Sequence, residues 1–516
     1  RLSASGGRTE VSSPPVYRPS ALALSADGGE LYTVSFRTGE VVVLDAKLRL
    51  RRRLPAGRQL NQCRAITLGP GGVLYAPQTR SDARLGGRMF DRTVFPAVAV
   101  AAPGDKRVSI GIFPDLLTVP PHRPCEAALG NRTLYFACAG SDDVVAIDLA
   151  TSFPAWHAKG LGLEPGAIRL DRSRGRLYVL MVAGQEIVTL NASDGTVLSR
   201  VRFADDPTPP LIARGRYLFG TAVDKRLTKD RWISCAACHP DGAGQDGRQW
   251  DLGEGPLDTH SLRGCMACPP LHYTAHLDEI QDTARFTRHV MAGQWFVPPQ
   301  RMNEYLARSN AGMNRDLDAL AAYIESLSPK RPPPPPPELA DVIRRGKAVF
   351  ESDATGCTAC HPAPRYADSG RRNAKGQYLR HDVGTWKMGE VKALRTLDTP
   401  SLLGLRQSEP YLHDGRARTL EEVLTRHNPK DQHGTTSHLS AEDVVALATF
   451  LRYLDPGPAK AEPRPVRPVV PRAAYNRGDA KRTPPPPGEV LPEPPPDEPR
   501  EPGDPQPHDP DRPRKR

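Results

Sequence analysis

Ser234-Cys235-Ala236-Ala237-Cys238-His239 decides the fold of the C-terminal half. Two cysteines spaced by two residues, with histidine next, are how a polypeptide holds c-type haem. The thiols add across the haem vinyl groups, and the histidine reaches the iron from the proximal side. The pattern returns at Cys357-Thr358-Ala359-Cys360-His361. A zinc site would need four ligands, and neither copy has a second Cys/His pair in tandem. The expected cofactors are therefore two covalently bound haem c groups. Cys235, Cys238 and His239 hold one, and Cys357, Cys360 and His361 the other.

The context around each motif repeats as well. Arg214-Gly215-Arg216-Tyr217-Leu218-Phe219 precedes the first motif and Arg345-Gly346-Lys347-Ala348-Val349-Phe350 the second. Thr259-His260-Ser261-Leu262 and Thr399-Pro400-Ser401-Leu402 follow, then Pro270-Leu271-His272 and Tyr411-Leu412-His413. Each unit closes on an apolar run of helical period, Ala319–Leu327 and Ala446–Leu454, which suits a helix covering a haem pocket. Two all-α cytochrome c domains are predicted, at 210–330 and 338–455, joined by a stiff polyproline linker at 331–337.

Residues 16–208 read as all-β. Leu31-Tyr32, Leu74-Tyr75, Leu134-Tyr135 and Leu177-Tyr178 recur at a spacing in the low forties with one longer middle step. Each pair lies between alternating apolar strands, such as Ala21–Leu24 before and Val41–Asp45 after. A period of about 40–45 residues with several short strands marks propeller blades, here similar to YVTN-type repeats. A generic β-sandwich is the competing architecture. Four blades are expected, with a possible fifth at Ala97–Ile112. From Pro456 to the end the chain is Pro-rich and charged, and is expected to be a disordered tail with a role in cell-envelope association.

The 516 residues carry a net charge of +11, but the basic residues are scattered and no nucleic-acid fold signature accompanies them, so nucleic acid is not an expected partner. No apolar stretch is long enough to span a membrane. Covalent haem attachment takes place outside the cytoplasm, so a periplasmic or cell-envelope location and a removed signal segment are expected. Cys125 with Cys138, and Cys265 with Cys268, are candidate disulfides; Cys265-Met266-Ala267-Cys268 is followed by Pro269 and so lacks an iron ligand.

Residues 210–455 resemble the bacterial di-haem cytochrome c peroxidase family, which includes MauG-type enzymes. Thr399-Pro400-Ser401-Leu402, Glu409-Pro410-Tyr411-Leu412-His413-Asp414-Gly415 and Thr419-Leu420-Glu421-Glu422-Val423 carry the resemblance. The order of elements looks like a propeller-bearing branch. The resemblance implies a reactive haem 1 and an electron-relaying haem 2. It places the distal ligand of haem 2 at His427, with His433 and His438 as substitutes. At haem 1 it leaves Met291, His289 or an open position. Asp278, Glu279 and Gln281 are candidates for moving protons during peroxide cleavage. Tyr273 stands where the family has a bridging tryptophan, and the Asp-Gly that follows there is missing.

Two functions from different classes stay open. One is an oxidoreductase that uses hydrogen peroxide, supplied with electrons by a small redox protein or a quinol-linked donor. The other is a non-enzymatic electron-transfer cytochrome with the propeller as docking platform. A propeller with its own active site feeding the haems, as in quinoprotein dehydrogenases, ranks behind both, because no quinone- or metal-binding cluster stands out before residue 208.

Overall fold

The computed structural model describes residues 18–57, 62–81, 94–112, 120–240, 247–251, 255–294, 296–329 and 331–455. The expected tail lies outside these residues.

The N-terminal region forms four antiparallel sheets of four strands, each taken in chain order. The first is Pro19–Leu24, Glu30–Ser35, Val41–Asp45 and Leu50–Leu54. The second is Thr67–Leu68, Leu74–Ser81, Val94–Ala101 and Ser109–Ile112. The third is Pro124–Leu129, Thr133–Cys138, Asp143–Asp148 and Pro154–Ala158, and the fourth Pro165–Asp171, Arg176–Met181, Glu186–Asn191 and Val197–Arg202. The arrangement is propeller-like. Ala97–Ile112 belongs to the third and fourth strands of the second sheet and is not a fifth blade. The longer middle step in the repeat comes from the extended second sheet and the connection after it.

Every Leu-Tyr pair lies in the second strand of its sheet, and strand alternation explains why the pair recurs. Successive side chains point to opposite faces. Leu134 and Phe136 therefore pack with Val98 and Ile112 of the preceding sheet. Tyr135 and Ala137 turn the other way, onto Ile168, Leu177 and Val179 of the following one. The first and second sheets share Val34, Val41, Val43, Leu74, Ala76 and Ala99 in the same manner. At the ends of the series the alternation leaves apolar side chains uncovered, with Leu22 66% and Val201 58% exposed.

The C-terminal region is mostly helical. Its helices are α1 (Pro210–Gly220), α2 (Cys235–Cys238), α3 (Thr283–Met291), α4 (Arg315–Glu325), α5 (Ala340–Glu351), α6 (Cys357–Cys360), α7 (Leu420–Leu424) and α8 (Ala441–Arg452). The sequence repeat is a structural repeat. The pair α1/α4 crosses where Gly215 lies against the Ala319 carbonyl, and α5/α8 crosses where Gly346 lies against the Ala446 carbonyl. Phe219 meets Tyr323 at a ring-centroid distance of 5.3 Å, and Phe350 meets Phe450 at 5.5 Å. Arg214 pairs with Asp316 at 2.8 Å, and Arg345 with Asp443 at 2.7 Å. Asn314 and Ser440 cap α4 and α8 by accepting backbone N–H bonds with their side chains. Between the two units residues 331–336 form neither helix nor strand, and Pro337–Leu339 forms one 3-10 turn leading into α5. Among the described residues no helix is long and apolar enough to cross a membrane.

The Arg214–Asp316–Arg226 cluster makes an acid-stability prediction. Burial pushes the Asp316 carboxyl up, but hydrogen bonds and charge from Arg214 and Arg226 outweigh it and hold the group at about 2, below its ordinary 3.8. A depressed carboxylate stabilises the fold above its unfolded value and loses that contribution as pH falls through the folded one. Asp316→Asn should therefore lose stability at neutral pH and lose less than the parent on acidification from about 4 to about 2. Denaturant titrations at a series of pH values measure this; parallel curves for the two proteins would contradict it.

Candidate haem sites

Each Cys-x-x-Cys forms one helical turn, α2 or α6, which sets its two thiols on one edge with the histidine just past the turn. His239 directs Nδ1 to the His260 carbonyl at 2.9 Å, and His361 directs Nδ1 to the Tyr366 carbonyl, also at 2.9 Å. A metal-ligating histidine commonly gives its second N–H to a carbonyl in this way, which fixes the tautomer and leaves Nε2 for the metal. A cavity of about 1840 Å³ runs across both helical units. That exceeds the ~300–1,000 Å³ of a site for one small ligand. Cys357, Cys360 and His361 line it directly. Cys235 and Cys238 pack against the same buried apolar cluster as Leu262, Met266 and Leu271, and those three form cavity wall. In the second unit orientation, thiols and space all suit haem c, whereas in the first Cys235, Cys238 and His239 lie behind the cavity wall and only the His239 orientation and the thiol spacing match.

Both halves of the cavity combine polar and apolar wall. The first half carries Asp278, Glu279, Gln281, Ser309 and Asp318. The second carries Leu420, Val423, Leu424, Leu447 and Leu451, together with Arg365, His381, Asp382, Asp398, Gln432 and His433. The three sequence candidates in the first half are thus brought together, and each is already engaged. Asp278 accepts from the Leu306 N–H at 3.2 Å. Glu279 accepts from Ser309 Oγ at 2.5 Å and from the Asn310 N–H. Gln281 donates to Asp318 at 3.0 Å. Next to them, burial raises the Asp282 carboxyl to about 6.

Tyr273 lies half-buried where the halves meet. Its hydroxyl donates to the Asp258 carbonyl at 2.9 Å. Its ring centroid lies 3.7 Å from that of His260 and 6.3 Å from that of His413. His413 is the matching residue of the second unit. Both follow a residue in the left-handed region, His272 (φ 73°) and Leu412 (φ 71°), and both sit in a loop closed by one antiparallel bridge. His413 Nε2 lies 3.3 Å from buried Glu390. His260 and Glu390 were not singled out from sequence; only the tertiary meeting of the two repeats brings them to this point.

Other candidates lie elsewhere. Met291 is buried in the core beside Trp232, whose indole N–H donates to the Met291 carbonyl at 3.1 Å, and it is not part of the cavity wall. The His289 side chain lies outside the described residues. His427 also stays off the cavity wall: its backbone N–H bonds Glu422 at 2.9 Å, and its Nε2 is buried without a hydrogen-bond partner. His433 does line the cavity, and its ring centroid lies 6.5 Å from that of His361. Burial lowers His361, and burial with the nearby His361 lowers His433 to about 4.

The expected disulfides are not formed. Cys125, Cys138, Cys265 and Cys268 are free thiols. Cys125 Sγ turns to the Pro165 carbonyl at 3.0 Å, while Cys265 and Cys268 line the first half of the cavity. Burial raises the Cys265 thiol to about 12.

The β-sheet region touches both haem units. His122 Nε2 lies 3.1 Å from Ser234 Oγ, the residue before the first haem cysteine, and Gln62 donates to the Ala237 carbonyl within the motif itself. Arg18 donates to the Gln407 carbonyl at 2.8 Å. Sequence periodicity carries no signal for such contacts, because they depend on how the sheets and helices dock.

No protein-family model matches the chain. Hydrazine synthase subunit gamma of Kuenenia stuttgartiensis is 29% identical over 293 residues, covering 47% of this chain and 77% of that protein. Methylamine utilization protein MauG of Methylorubrum extorquens is 28% identical over 250 residues, covering 43% and 69%. Cytochrome-c peroxidase IdrP2 of a Pseudomonas species is 24% identical over 380 residues, covering 60% and 98%. Over about half of its length, at modest identity, this chain is a homologue of the di-haem MauG and cytochrome-c peroxidase proteins.

Proposed function

We propose that the chain is a di-haem c-type oxidoreductase of the cell envelope that reacts with hydrogen peroxide in its first helical unit and takes in electrons through its second. The observation that carries this reading is the set of carboxylate and amide groups gathered on the wall of the first half of the shared cavity: Asp278, Glu279, Gln281 and Asp318. Haem, when bound, supplies one-electron redox chemistry and an iron site for a small oxidant. His239 and His361 are its proximal ligands, oriented by the His260 and Tyr366 carbonyls. Asp278, Glu279 and Gln281 provide positions from which a proton can be held or passed to a bound oxidant. Tyr273 and His413 supply aromatic density between the halves. The electron donor is a small redox protein or a quinol-linked carrier.

A second reading is also favoured by an observation. Glu279 and Gln281 are already satisfied by Ser309, Asn310 and Asp318, as purely structural groups would be. The protein would then be an electron carrier with the β-sheet region as docking platform.

Peroxide turnover with an artificial electron donor separates the two. Under the peroxidase reading the purified protein turns over, and Glu279→Gln slows turnover by about 10²–10⁴-fold at unchanged haem content. Absence of turnover in the parent protein would establish the carrier. Turnover that survives Glu279→Gln, Asp278→Asn and Gln281→Ala alike would remove these groups from the chemistry.

A further inference from the structure

We infer that His433 is the second axial ligand of the haem held by Cys357, Cys360 and His361, closing that iron on both faces. The inference rests on the di-haem reading and goes beyond it by naming a ligand at a position other than the one the family pattern marks.

The first argument is distance. A metal–imidazole bond is about 2.0–2.1 Å and the bonded nitrogen lies about 1.1 Å from its ring centre, so two imidazoles sharing one metal have centroids about 6.2–6.4 Å apart. The His361 and His433 centroids are 6.5 Å apart, and both rings line the same cavity. With Nδ1 of His361 committed to the Tyr366 carbonyl, its Nε2 is the nitrogen left for a metal.

The second argument is that the loop carrying His433 is built to hold it there. Asn428 is 4% exposed and clamps the loop from inside. Its side-chain oxygen accepts the His433 N–H at 2.9 Å. Its amide donates to the His433 carbonyl at 3.2 Å, the Gly434 carbonyl at 2.8 Å and Thr436 Oγ1 at 2.9 Å. A neutral side chain that satisfies four loop groups at once fixes the backbone on either side of His433.

The third argument is contact with the attachment segment. The Thr435 N–H donates to the Thr355 carbonyl at 3.0 Å, two residues before Cys357. Gly434 has φ +74°, and a Cβ there would meet the Thr355 carbonyl at 3.0 Å. Glycine is therefore required both by the backbone conformation and by the close approach. Register between His433 and the Cys357–His361 turn follows from these contacts.

His427 is the rival ligand. Its Nε2 is buried and lacks a hydrogen-bond partner, but its ring is not on the cavity wall. A bis-histidine iron leaves no position for peroxide and has a lower potential than a His/Met iron. That suits electron transfer and confines any substrate to the first half of the cavity.

The test uses the full-length haem-loaded protein, starting with intact mass and with absorption and paramagnetic resonance of the oxidised state. Two covalent haems are expected, one of them with a low-spin bis-histidine signal. His433→Ala should convert that signal to high spin, and added imidazole should restore it. His433→Met should keep the iron low-spin and raise its potential, which provides a readout if the alanine variant folds poorly. His427→Ala should leave the spectrum unchanged. A low-spin signal that persists in His433→Ala, a potential unmoved in His433→Met, or conversion to high spin by His427→Ala each overturns the assignment while leaving the di-haem reading intact. Fewer than two covalent haems in the parent protein would overturn the di-haem reading, and this inference with it.

Discussion

A protein with Cys357 and Cys360 both replaced by alanine should carry one covalent haem where the parent carries two, and its second helical unit should lose its fixed structure. The first effect follows from chemistry, since thioether bonds need the thiols. The second follows from packing. The cavity wall in this unit includes Phe350, Leu420, Val423, Leu424, Leu447 and Leu451, which lose their inner neighbour when the space is empty. Emptying an apolar site costs about 24 cal/mol per Å³ of cavity that cannot collapse. A space sized for haem would cost more at that rate than the ~5–15 kcal/mol by which whole domains are stable. Collapse or local unfolding is therefore expected in place of an empty cavity. Intact mass reads the haem count, and limited proteolysis after Arg331 reads the loss of structure. Two haems in the variant would refute the attachment site. One haem with undiminished protease resistance would show that the second unit folds without its cofactor.

The next largest effect is expected at the two helix crossings. Glycine to alanine inside an exposed helix ordinarily stabilises it by about 0.8–1.0 kcal/mol. At Gly215 and Gly346 the sign should reverse. A Cβ at either site would collide with a backbone carbonyl, of Ala319 or Ala446, and a carbonyl cannot swing aside as a side chain can. The helices would have to separate, pulling Phe219 from Tyr323 or Phe350 from Phe450 and loosening the wall behind each haem. Overpacking of this kind costs about 1–3 kcal/mol, and valine should cost more than alanine. Denaturation of Gly215→Ala and Gly346→Ala, each compared with an exposed-site control such as Gly57→Ala, gives the measurement. Equal or higher stability in the crossing variants would mean that the helices tolerate wider spacing.

The repeat in the sequence was legible because it rests on local requirements. Thioether formation fixes the Cys-x-x-Cys-His spacing, helix period fixes the apolar runs at Ala319–Leu327 and Ala446–Leu454, and strand alternation fixes the recurring Leu-Tyr pairs. Each of these can be read from neighbours within one or two turns of chain. The apparent fifth blade at Ala97–Ile112 failed on the same ground. Alternation identifies a strand but not the sheet it joins, and pairing of Val98 with Ile112 and of Tyr75 with Val100 assigns both strands to the second sheet.

Sequence by itself determined the internal duplication and the β-to-helical order of the chain, and it named the candidate haem-attachment residues and proximal histidines. Tertiary structure alone decided the rest of the site. Counting along α7 leads to His427, yet the ring that faces His361 belongs to His433, because Asn428 and Gly434 fold the following loop back onto Thr355. Likewise Tyr273 meets His413 only because the two repeats pack against each other, with the Asp258 N–H bonded to the His413 carbonyl at 2.6 Å. Covalent spacing and helical period act within a few residues and leave a record in the sequence. Loop return and domain contact arise from many weak interactions between distant segments, and no short stretch of sequence contains them.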